Sequence, residues 1–435
     1  MMPMTHHDSR SETGWRQLRR RLPAGLDESA RACGALMRRR EVRSASDLLR
    51  LAFVHGPGGL SLRETSAWAG VNGIAEFSAV AVMKRLRRMG PWLERLIGEV
   101  LARRAATVRS ERGKGRTIRL IDGSVLQAPG SQGNDWRLHL TYDLRRQRLS
   151  TIELTDQHGA EKLERAVPEA GEIRVGDRCY ARPEGLRSIV EGDADFVVRI
   201  GARSLRLAHP DGRPFDMRRF LLSCRKDGRA DIPVMIGKAR GRRKWQPLPA
   251  RLIAIRKPAE QAARSRRKAR RASQKDGQRL QKETLLAADY LLIITSLPKD
   301  EFSAEQVAAI YRLRWQIELA IKRLKSLLRI DRLPTKDPDL AKCWLYAHLL
   351  LALLIEDLTQ EFLDSPPCAP NSPAPSIDLA YHQASGSRRP RRRSRSHHPR
   401  RTVSRRSHHQ VSSPRSAASP RAPVMASTKL TVMGA

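Results

Sequence analysis

The sequence predicts a mixed α/β sheet with a β insertion, preceded by an all-α N-terminal region and followed by a disordered tail. Residues 27–106 have the apolar spacing of helices. From Arg116 onward, short apolar or alternating runs, separated by turns and short helices, indicate the strands of a mixed sheet. After Asp364 the chain becomes rich in Arg, Ser and Pro and has too few apolar residues to form a core.

The composition limits the kind of partner that this chain can have. Its 435 residues suffice for two or three domains with their own cores. The formal net charge of +38 exceeds what an enzyme of small molecules needs, and DNA or RNA explains it better than a membrane. Basic runs such as Arg103–Arg119 and Arg264–Arg271 lie outside the tail, so this inference does not depend on the tail.

Cysteine usage and apolar segments indicate the compartment. The five cysteines are scattered and include no CxxC pair, which favours a reducing cytosol and neither a disulfide framework nor a zinc site. The N-terminus lacks the apolar segment of a signal peptide. The longest apolar stretch, Leu345–Ile355, is too short to span a bilayer and predicts a buried helix. We therefore expect a cytoplasmic protein without membrane association.

The N-terminal region is predicted to bind DNA. We expect a loose basic arm in residues 1–26 and a helical DNA-binding domain in residues 27–106. Ser61 and Glu64 have the spacing of a capping box, and the turn Gly70–Gly73 precedes a second helix near residues 75–88. That helix ends in a basic cluster of Lys84, Arg85, Arg87 and Arg88. Its outline resembles a helix-turn-helix, although an ordinary helical hairpin has the same outline.

The predicted catalytic core has two parts, residues 107–200 and 257–363, with a β insertion at 201–256 between them. Within the insertion, Phe220–Ser223 and Ile232–Ile236 predict short strands. Runs typical of core strands are Arg116–Asp122, Trp136–Tyr142, Leu149–Leu154, Glu172–Asp177, Ala194–Ile200 and Asp289–Thr295. Helices are predicted at Pro183–Glu191 and Ala341–Leu363, and a helix or linker at Pro258–Glu283.

Residues 364–435 are predicted to form the disordered tail. The run Ser387–Ser407 is dominated by Arg, Ser, His and Pro and contains no acidic residue. One interpretation is a tail that binds nucleic acid. The other is out-of-frame translation of a GC-rich reading frame, which the abrupt change after an apolar helix favours.

One predicted helix carries a concentrated set of chemical groups. Tyr311, Arg314, Glu318 and Lys325 are separated by three, four and seven residues, so on one helix they share about 60° of arc. A carboxylate flanked by cations and a phenol suits a metal ion beside phosphate oxygens. A solvated helix face with a salt bridge explains the same residues, and this helix alone does not decide between the two.

Two further acids turn this helix into part of a candidate metal site. Asp122 and Asp177 end two predicted strands, and Glu318 lies on the helix after the last strand. If the three carboxylates converge at one sheet edge, they are able to hold two Mg²⁺ ions about 4 Å apart, the arrangement for in-line displacement at phosphorus. Taken singly, a strand-end Asp is more often a turn residue.

These motifs resemble the DDE transposases of the insertion-sequence-four family, which have a ribonuclease-H-like core. The family pattern of Tyr, Arg, Glu and Lys is matched in full by Tyr311 to Lys325. Asp122-Gly123 is similar to the first Asp motif, and Asp177-Arg-Cys-Tyr180 to the second, with Cys179 in place of the usual glycine. The resemblance covers roughly residues 30–363 and includes the β insertion and the Thr295–Pro298 turn.

The resemblance implies a reaction and a set of roles. Asp122, Asp177 and Glu318 would bind two Mg²⁺ ions, with Mn²⁺ as a substitute. The phosphates of a cleaved transposon end would be contacted by Tyr311, Arg314 and Lys325. Tyr290 has the place of an aromatic residue that traps a flipped base in some members, although a core tyrosine is the commoner role. The reaction would be strand nicking, transfer through a hairpin and insertion into target DNA.

The resemblance also implies partners and a location. The expected partners are double-stranded DNA, as terminal inverted repeats and target, and a second copy of the chain in a synaptic homodimer. A bacterial, nucleoid-associated enzyme of the cytoplasm is expected. Because the family continues with folded helices where this chain has its Arg/Ser/Pro tail, an alternative is a catalytically impaired DNA-binding inhibitor of transposition. A metal-dependent nuclease on the same fold is a third possibility.

Overall fold

A computed structural model of the chain describes residues 6–37, 41–110, 116–237, 246–277, 279–330 and 332–364. The predicted tail, apart from Asp364, lies outside these residues, so both interpretations of it stay predictions. Residues 1–361 belong to one compact unit.

The N-terminal region is helical within its described residues. Its helices are α1 (His6–Arg20), α2 (Leu26–Ala32), α3 (Ala45–His55), α4 (Leu62–Val71), α5 (Ala79–Arg87) and α6 (Gly90–Ser110). The predicted capping box is confirmed, because the Ser61 hydroxyl accepts from the Glu64 backbone and Glu64 accepts from the Ser61 backbone. The expectation of a loose N-terminal arm is wrong, since α1 packs Trp15 edge-on against Phe53 with ring centroids 6.2 Å apart.

The helix pair α4 and α5 differs from its prediction at one boundary. The second helix begins at Ala79 rather than near residue 75, because Ser78 is extended and its hydroxyl caps the Ala81 backbone N–H. The connecting turn contains Gly73 with a φ of 64°, a left-handed conformation that favours glycine.

A mixed sheet of nine strands forms the centre of the described residues, in the order β3-β2-β1-β4-β5-β9-β8-β7-β6. Strands β1, β2 and β3 are antiparallel neighbours, whereas β4 runs parallel to both β1 and β5. The strands are β1 (Ile118–Leu126), β2 (Trp136–Asp143), β3 (Arg148–Asp156), β4 (Ile173–Gly176), β5 (Asp195–Arg199), β6 (Leu207–Ala208), β7 (Arg229–Ile236), β8 (Leu248–Arg256) and β9 (Tyr290–Thr295). This mixed α/β architecture confirms the predicted fold class.

Several strand predictions are confirmed and two are wrong in detail. The β2–β3 hairpin and the buried strand β9 lie where the sequence predicts them. Strand β1 does not end at Asp122, because β2 pairs with it as far as Leu126 and Trp136. The predicted strand at Phe220 is part of helix α8 (Met217–Ser223), since the Asp216 carboxylate caps the helix start.

The segment predicted as a β insertion extends the core sheet. Strand β8 pairs antiparallel with β9, from Arg251 opposite Thr295 to Arg256 opposite Tyr290. Strands β7 and β6 continue outward from β8. The remaining helices are α7 (Pro183–Glu191), α9 (Ala259–Lys275), α10 (Lys282–Ala288), α11 (Ala304–Arg312), α12 (Trp315–Leu328) and α13 (Pro338–Asp364).

The predicted helix from Tyr311 to Lys325 is two helices, so a single continuous helix is wrong. Helix α11 ends at Arg312 and α12 begins at Trp315. Between them the hydrogen bonding tightens, because the Arg314 N–H donates to the Tyr311 carbonyl at 3.1 Å. Tyr311 therefore lies on a different helix from Glu318 and Lys325, and the shared arc applies only to the residues of α12 and its N-cap.

Helix α13 joins the N-terminal helices to the sheet. It is longer than the predicted apolar helix, and its segment Pro338–Glu361 is long and apolar enough to cross a membrane, so the length argument against a span is wrong. Of its apolar window, 67% is buried inside the protein, as in the core helix of a globular domain. Leu349, Leu350 and Leu353 of this helix are fully buried, and they belong to one hydrophobic cluster with residues of α3, α6 and β1 to β3.

Candidate active site

The parallel register of β1 and β4 brings two of the predicted acids level with each other. Leu120 of β1 is the partner of Val175 in β4. Asp122 lies two residues after Leu120, still within β1, and Asp177 lies two residues after Val175, just past the end of β4. Asp177 caps a short 3₁₀ turn (Arg178–Tyr180), and its carboxylate accepts from the Cys179 backbone N–H at 2.7 Å.

The environment of Asp122 is partly desolvated and acidic. Its side chain is 19% exposed, and its carboxylate accepts from the Gly123 backbone N–H at 2.9 Å. Burial raises the pKa of Asp122 to about 6, and the charges of Asp177 and Glu318 add to this effect. The Gly123 hydrogen bond and Arg314 act in the opposite direction. Asp122 therefore stands within electrostatic reach of both other predicted acids.

Arg314 links two of the three acids. Its guanidinium donates to the Asp122 carboxylate at 3.4 Å and also forms a short ion pair with Glu318, four residues further on. The Glu318 side chain is 52% exposed, so its carboxylate faces solvent. The Lys325 ammonium donates to the Val125 carbonyl of β1 at 3.4 Å. Helix α12 therefore runs alongside β1, with Arg314 and Lys325 both directed at that strand.

The two predicted tyrosines are buried. Tyr311 is 9% exposed and packs in the core, with electrostatic influence on Arg314. Tyr290 is 4% exposed, and its hydroxyl donates to the Leu221 carbonyl at 3.2 Å. A base-trapping role for Tyr290 is therefore wrong for this structure, because its ring has no open face. The sequence reasoning missed Trp315, which begins α12 and is 50% exposed.

The basic cluster at the end of α5 is divided between protein contacts and solvent. Arg85 pairs with Glu41 at 2.8 Å and stacks over Phe77. Arg87 pairs with Asp337 at 3.2 Å. Lys84 and Arg88 are exposed. DNA contact by these four residues stays a prediction, and Lys84 and Arg88 are the two whose side chains fit it best.

Sequence reasoning also missed an acid beside Asp177. Ligand atoms of Glu161, Asp177 and Cys179 all lie within 4.8 Å of one another. Glu161 belongs to the loop after β3, where neither helical nor strand periodicity marks it. One clue was available in the sequence. Glu161 lies between β3 and β4, and Asp177 follows the end of β4.

Comparisons with known proteins agree with these features. Residues 113–355 match a family model described as Transposase DDE domain. The putative transposase InsL for insertion sequence element IS186A of Escherichia coli (strain K12) is 49% identical over 348 residues, which cover 79% of this chain and 93% of that protein. The transposase for insertion sequence element IS421 of Escherichia coli is 48% identical over 349 residues, with the same coverage of each chain.

A more distant structural likeness was also found. The cryo-EM structure of the piggyBac transposase synaptic complex with hairpin DNA superimposes with a TM-score of 0.29 at 8% identity, over 57% of this chain and 54% of that chain. This likeness is too low to carry an argument, and the family assignment rests on the sequence matches. The chain belongs to the DDE transposases of the insertion-sequence-four family, enzymes that bind DNA and use divalent metal ions to cut and rejoin it.

Proposed function

We propose that Asp122, Asp177 and Glu318 hold two Mg²⁺ ions, for which Mn²⁺ is a substitute, and that this site cuts and joins DNA at the ends of a transposon. The observation that carries the proposal is the pairing of β1 with β4, which brings Asp122 level with Asp177, together with Arg314, which connects Asp122 to Glu318. These contacts support one site formed by three acids that are distant in sequence.

The donor set suits a hard divalent cation. All three side chains offer carboxylate oxygens, which Mg²⁺ prefers over nitrogen or sulfur. The raised pKa of Asp122 reflects burial near two other carboxylates, an arrangement that a cation relieves. Among the described residues the Tyr180 hydroxyl is buried without a hydrogen-bond partner, and it lies within electrostatic reach of Asp122 and Asp177. The residues present therefore fit the metal that the family requires.

The protein's own residues would position the DNA for this chemistry. Asp122, Asp177 and Glu318 would hold the Mg²⁺ ions, whose chemistry when bound would be activation of the attacking water or 3′-hydroxyl and stabilisation of the leaving oxygen. Arg314 and Lys325 place two cations along β1 beside the acids, where they would hold the phosphates that flank the scissile bond. Tyr311 would act through Arg314, since it is buried next to that residue rather than exposed to DNA.

Aromatic and basic surface would extend the DNA contact. Trp315 exposes half of its surface at the start of α12, and a base freed from its stack has an affinity for such a ring. Lys84 and Arg88 of α5 would contact phosphates of the transposon end. We propose the terminal inverted repeats and the target as the DNA partners, a homodimer as the synaptic form and the bacterial nucleoid as the site of action.

Cleavage of DNA from the borders of the gene tests this proposal. The full chain is incubated with Mg²⁺ and either a duplex from the flanking inverted repeats or a shuffled duplex of equal length. Cutting and joining at the repeat ends alone is the expected result. Glu318→Gln should abolish both reactions, whereas Glu305→Gln, which alters an exposed acid on α11 paired with Arg229, should leave them intact.

Each alternative function predicts its own outcome. Specific binding without cleavage would indicate a DNA-binding inhibitor of transposition. Cleavage of both duplexes at equal rates would indicate a general nuclease. End-specific cleavage by Glu318→Gln at the wild-type rate would contradict the metal assignment. Sedimentation of the protein with end DNA tests the homodimer, since a single chain on each duplex would contradict it.

A further inference from the structure

Glu161 lies against the two strands that carry the proposed metal ligands. A Cβ atom built at Gly123, next to Asp122, would lie 3.0 Å from the Glu161 carboxylate. The same carboxylate lies within 4.8 Å of the ligand atoms of Asp177 and Cys179. Glu161 therefore lies between Gly123 of β1 and Asp177 just past the end of β4.

Glycine at position 123 allows this approach. Any side chain there would need the Glu161 carboxylate to shift, because 3.0 Å is a tighter contact than a Cβ normally makes. Because successive side chains of a strand point to opposite faces, Glu161 approaches β1 on the face opposite the Asp122 side chain and meets the proposed site through Asp177.

A buried hydroxyl points to the same place. Tyr180 is 1% exposed, and among the described residues its hydroxyl has no hydrogen-bond partner. Burial raises its pKa far above the ordinary value, and Asp122, Glu161 and Asp177 each raise it further. The unpartnered Tyr180 hydroxyl therefore lies within electrostatic reach of three carboxylates, and leaving it without an acceptor costs free energy.

We propose that Glu161 is a fourth carboxylate of the catalytic metal site and shares one divalent ion with Asp177. The proposal rests on the proposed function, because it assumes that Asp177 is a metal ligand. Cys179 completes the cluster, but its thiol is a poor ligand for Mg²⁺, which selects oxygen. The ion that Glu161 and Asp177 share is therefore held by oxygen atoms.

Binding of Mn²⁺ to the full chain without DNA tests the proposal. Calorimetry and the electron paramagnetic resonance signal of free Mn²⁺ give the affinity and the number of bound ions. Glu161→Gln should weaken one binding event at least about tenfold, and Glu161→Asp should recover part of the loss. Glu169→Gln is the matched control, because it removes an exposed acid of the same segment that pairs only loosely with Arg119 at 3.6 Å.

Asp177→Asn separates the two possible failures. If Asp177→Asn weakens Mn²⁺ binding and Glu161→Gln does not, this proposal is wrong while the proposed function stands. If Asp177→Asn leaves Mn²⁺ binding unchanged, the metal assignment of the proposed function is wrong and the shared ion with it. The unfolding temperature of each variant in a chelator must match that of the wild type within about 2 °C, so that weaker Mn²⁺ binding does not result from unfolding of the variant.

Discussion

Arg104 and Arg314 each pair with two carboxylates, and these two clusters differ in their surroundings. Arg104 of α6 is 4% exposed, pairs with Glu356 and Asp357 of α13, and also donates to the carbonyls of Leu149 and Leu353. Arg314 is 17% exposed and pairs with Asp122 and the half-exposed Glu318. The first cluster is closed by the protein, whereas the second opens to solvent on its acidic side.

The difference separates structural from functional use of the same groups. Arg104 has its charge neutralised and its donors satisfied by carboxylates of α13 and by backbone carbonyls of β3 and α13, as a buried ion must. In the Arg314 cluster, one arginine faces two carboxylates and Asp177 adds a third acid; burial raises the pKa of Asp122, and the charges of Asp177 and Glu318 raise it further. Unbalanced negative charge is a cost in folding and an asset in binding a cation.

The largest expected effect is a loss of catalysis when Asp177, the acid beside the Arg314 cluster, is neutralised. Asp177→Asn should lower Mg²⁺-dependent cleavage of end DNA at least about 10³-fold, equal to about 4 kcal/mol, because a neutral amide is a poor ligand for a hard cation. The single-turnover cleavage rate measures this loss. A drop of less than tenfold, with normal DNA binding, would contradict the assigned role.

The closed cluster should instead control stability. Arg104→Ala should cost about 3 to 4 kcal/mol of unfolding free energy, because it removes a buried cation that donates to two carboxylates and two carbonyls. Arg103→Ala, which removes a more exposed neighbour paired with Asp357 at 3.3 Å, should cost less than about 1 kcal/mol. Urea unfolding measures the free energy that each variant loses. Equal losses for Arg104→Ala and Arg103→Ala would contradict the distinction between a buried and an exposed arginine.

The acidity of Asp122 predicts a pH dependence of stability without metal. Because the folded pKa of about 6 exceeds the ordinary Asp value of 3.8, the folded state favours the protonated carboxyl. Stability is therefore lost as pH rises from about 4 through 6, and the loss is complete above the folded pKa. Asp122→Asn should lose about 2 kcal/mol less unfolding free energy than the wild type as pH rises. Urea unfolding at pH 4.5 and pH 8 in a chelator tests this, and parallel losses in both proteins would contradict it.

The smallest expected effect concerns exposed cations on α5. Lys84→Ala should reduce the salt dependence of DNA binding by about one phosphate contact and weaken binding equally on end and shuffled DNA. Arg85→Ala should mainly affect stability, because Arg85 already pairs with Glu41. Binding isotherms over a range of salt concentrations distinguish the two. If the salt dependence of binding is unchanged in Lys84→Ala, Lys84 does not contact a DNA phosphate.

Local features of the fold were predictable from sequence because nearby residues decide them. The capping box at Ser61, the β2–β3 hairpin and helix α7 with Pro183 at its start depend on contacts a few residues apart. The division between α11 and α12 was not predictable, since the helical pattern continues through Arg314 and only the hydrogen bonding tightens. The extension of the sheet by β8 depends on pairing with β9, which is distant in sequence.

The candidate site was predictable where a motif carried it and not where distant segments meet. The spacing of Arg314, Glu318 and Lys325 is local, and the resemblance joined it to Asp122 and Asp177. That the two aspartates are level follows from the β1–β4 register, which no local pattern fixes. Glu161 was missed for the same reason, because only the folded structure brings its loop close to Gly123.

A matched pair of neutral variants tests the central claim most directly, with the cleavage rate per folded molecule as the measurement. Glu318→Gln changes the open cluster, and Asp357→Asn changes the closed one, where the acid contacts Arg104 at 2.8 Å. We predict that Glu318→Gln folds normally and does not cleave end DNA, whereas Asp357→Asn is less stable by about 2 kcal/mol and cleaves at the wild-type rate. Cleavage retained by Glu318→Gln, or lost by folded Asp357→Asn, would contradict the account.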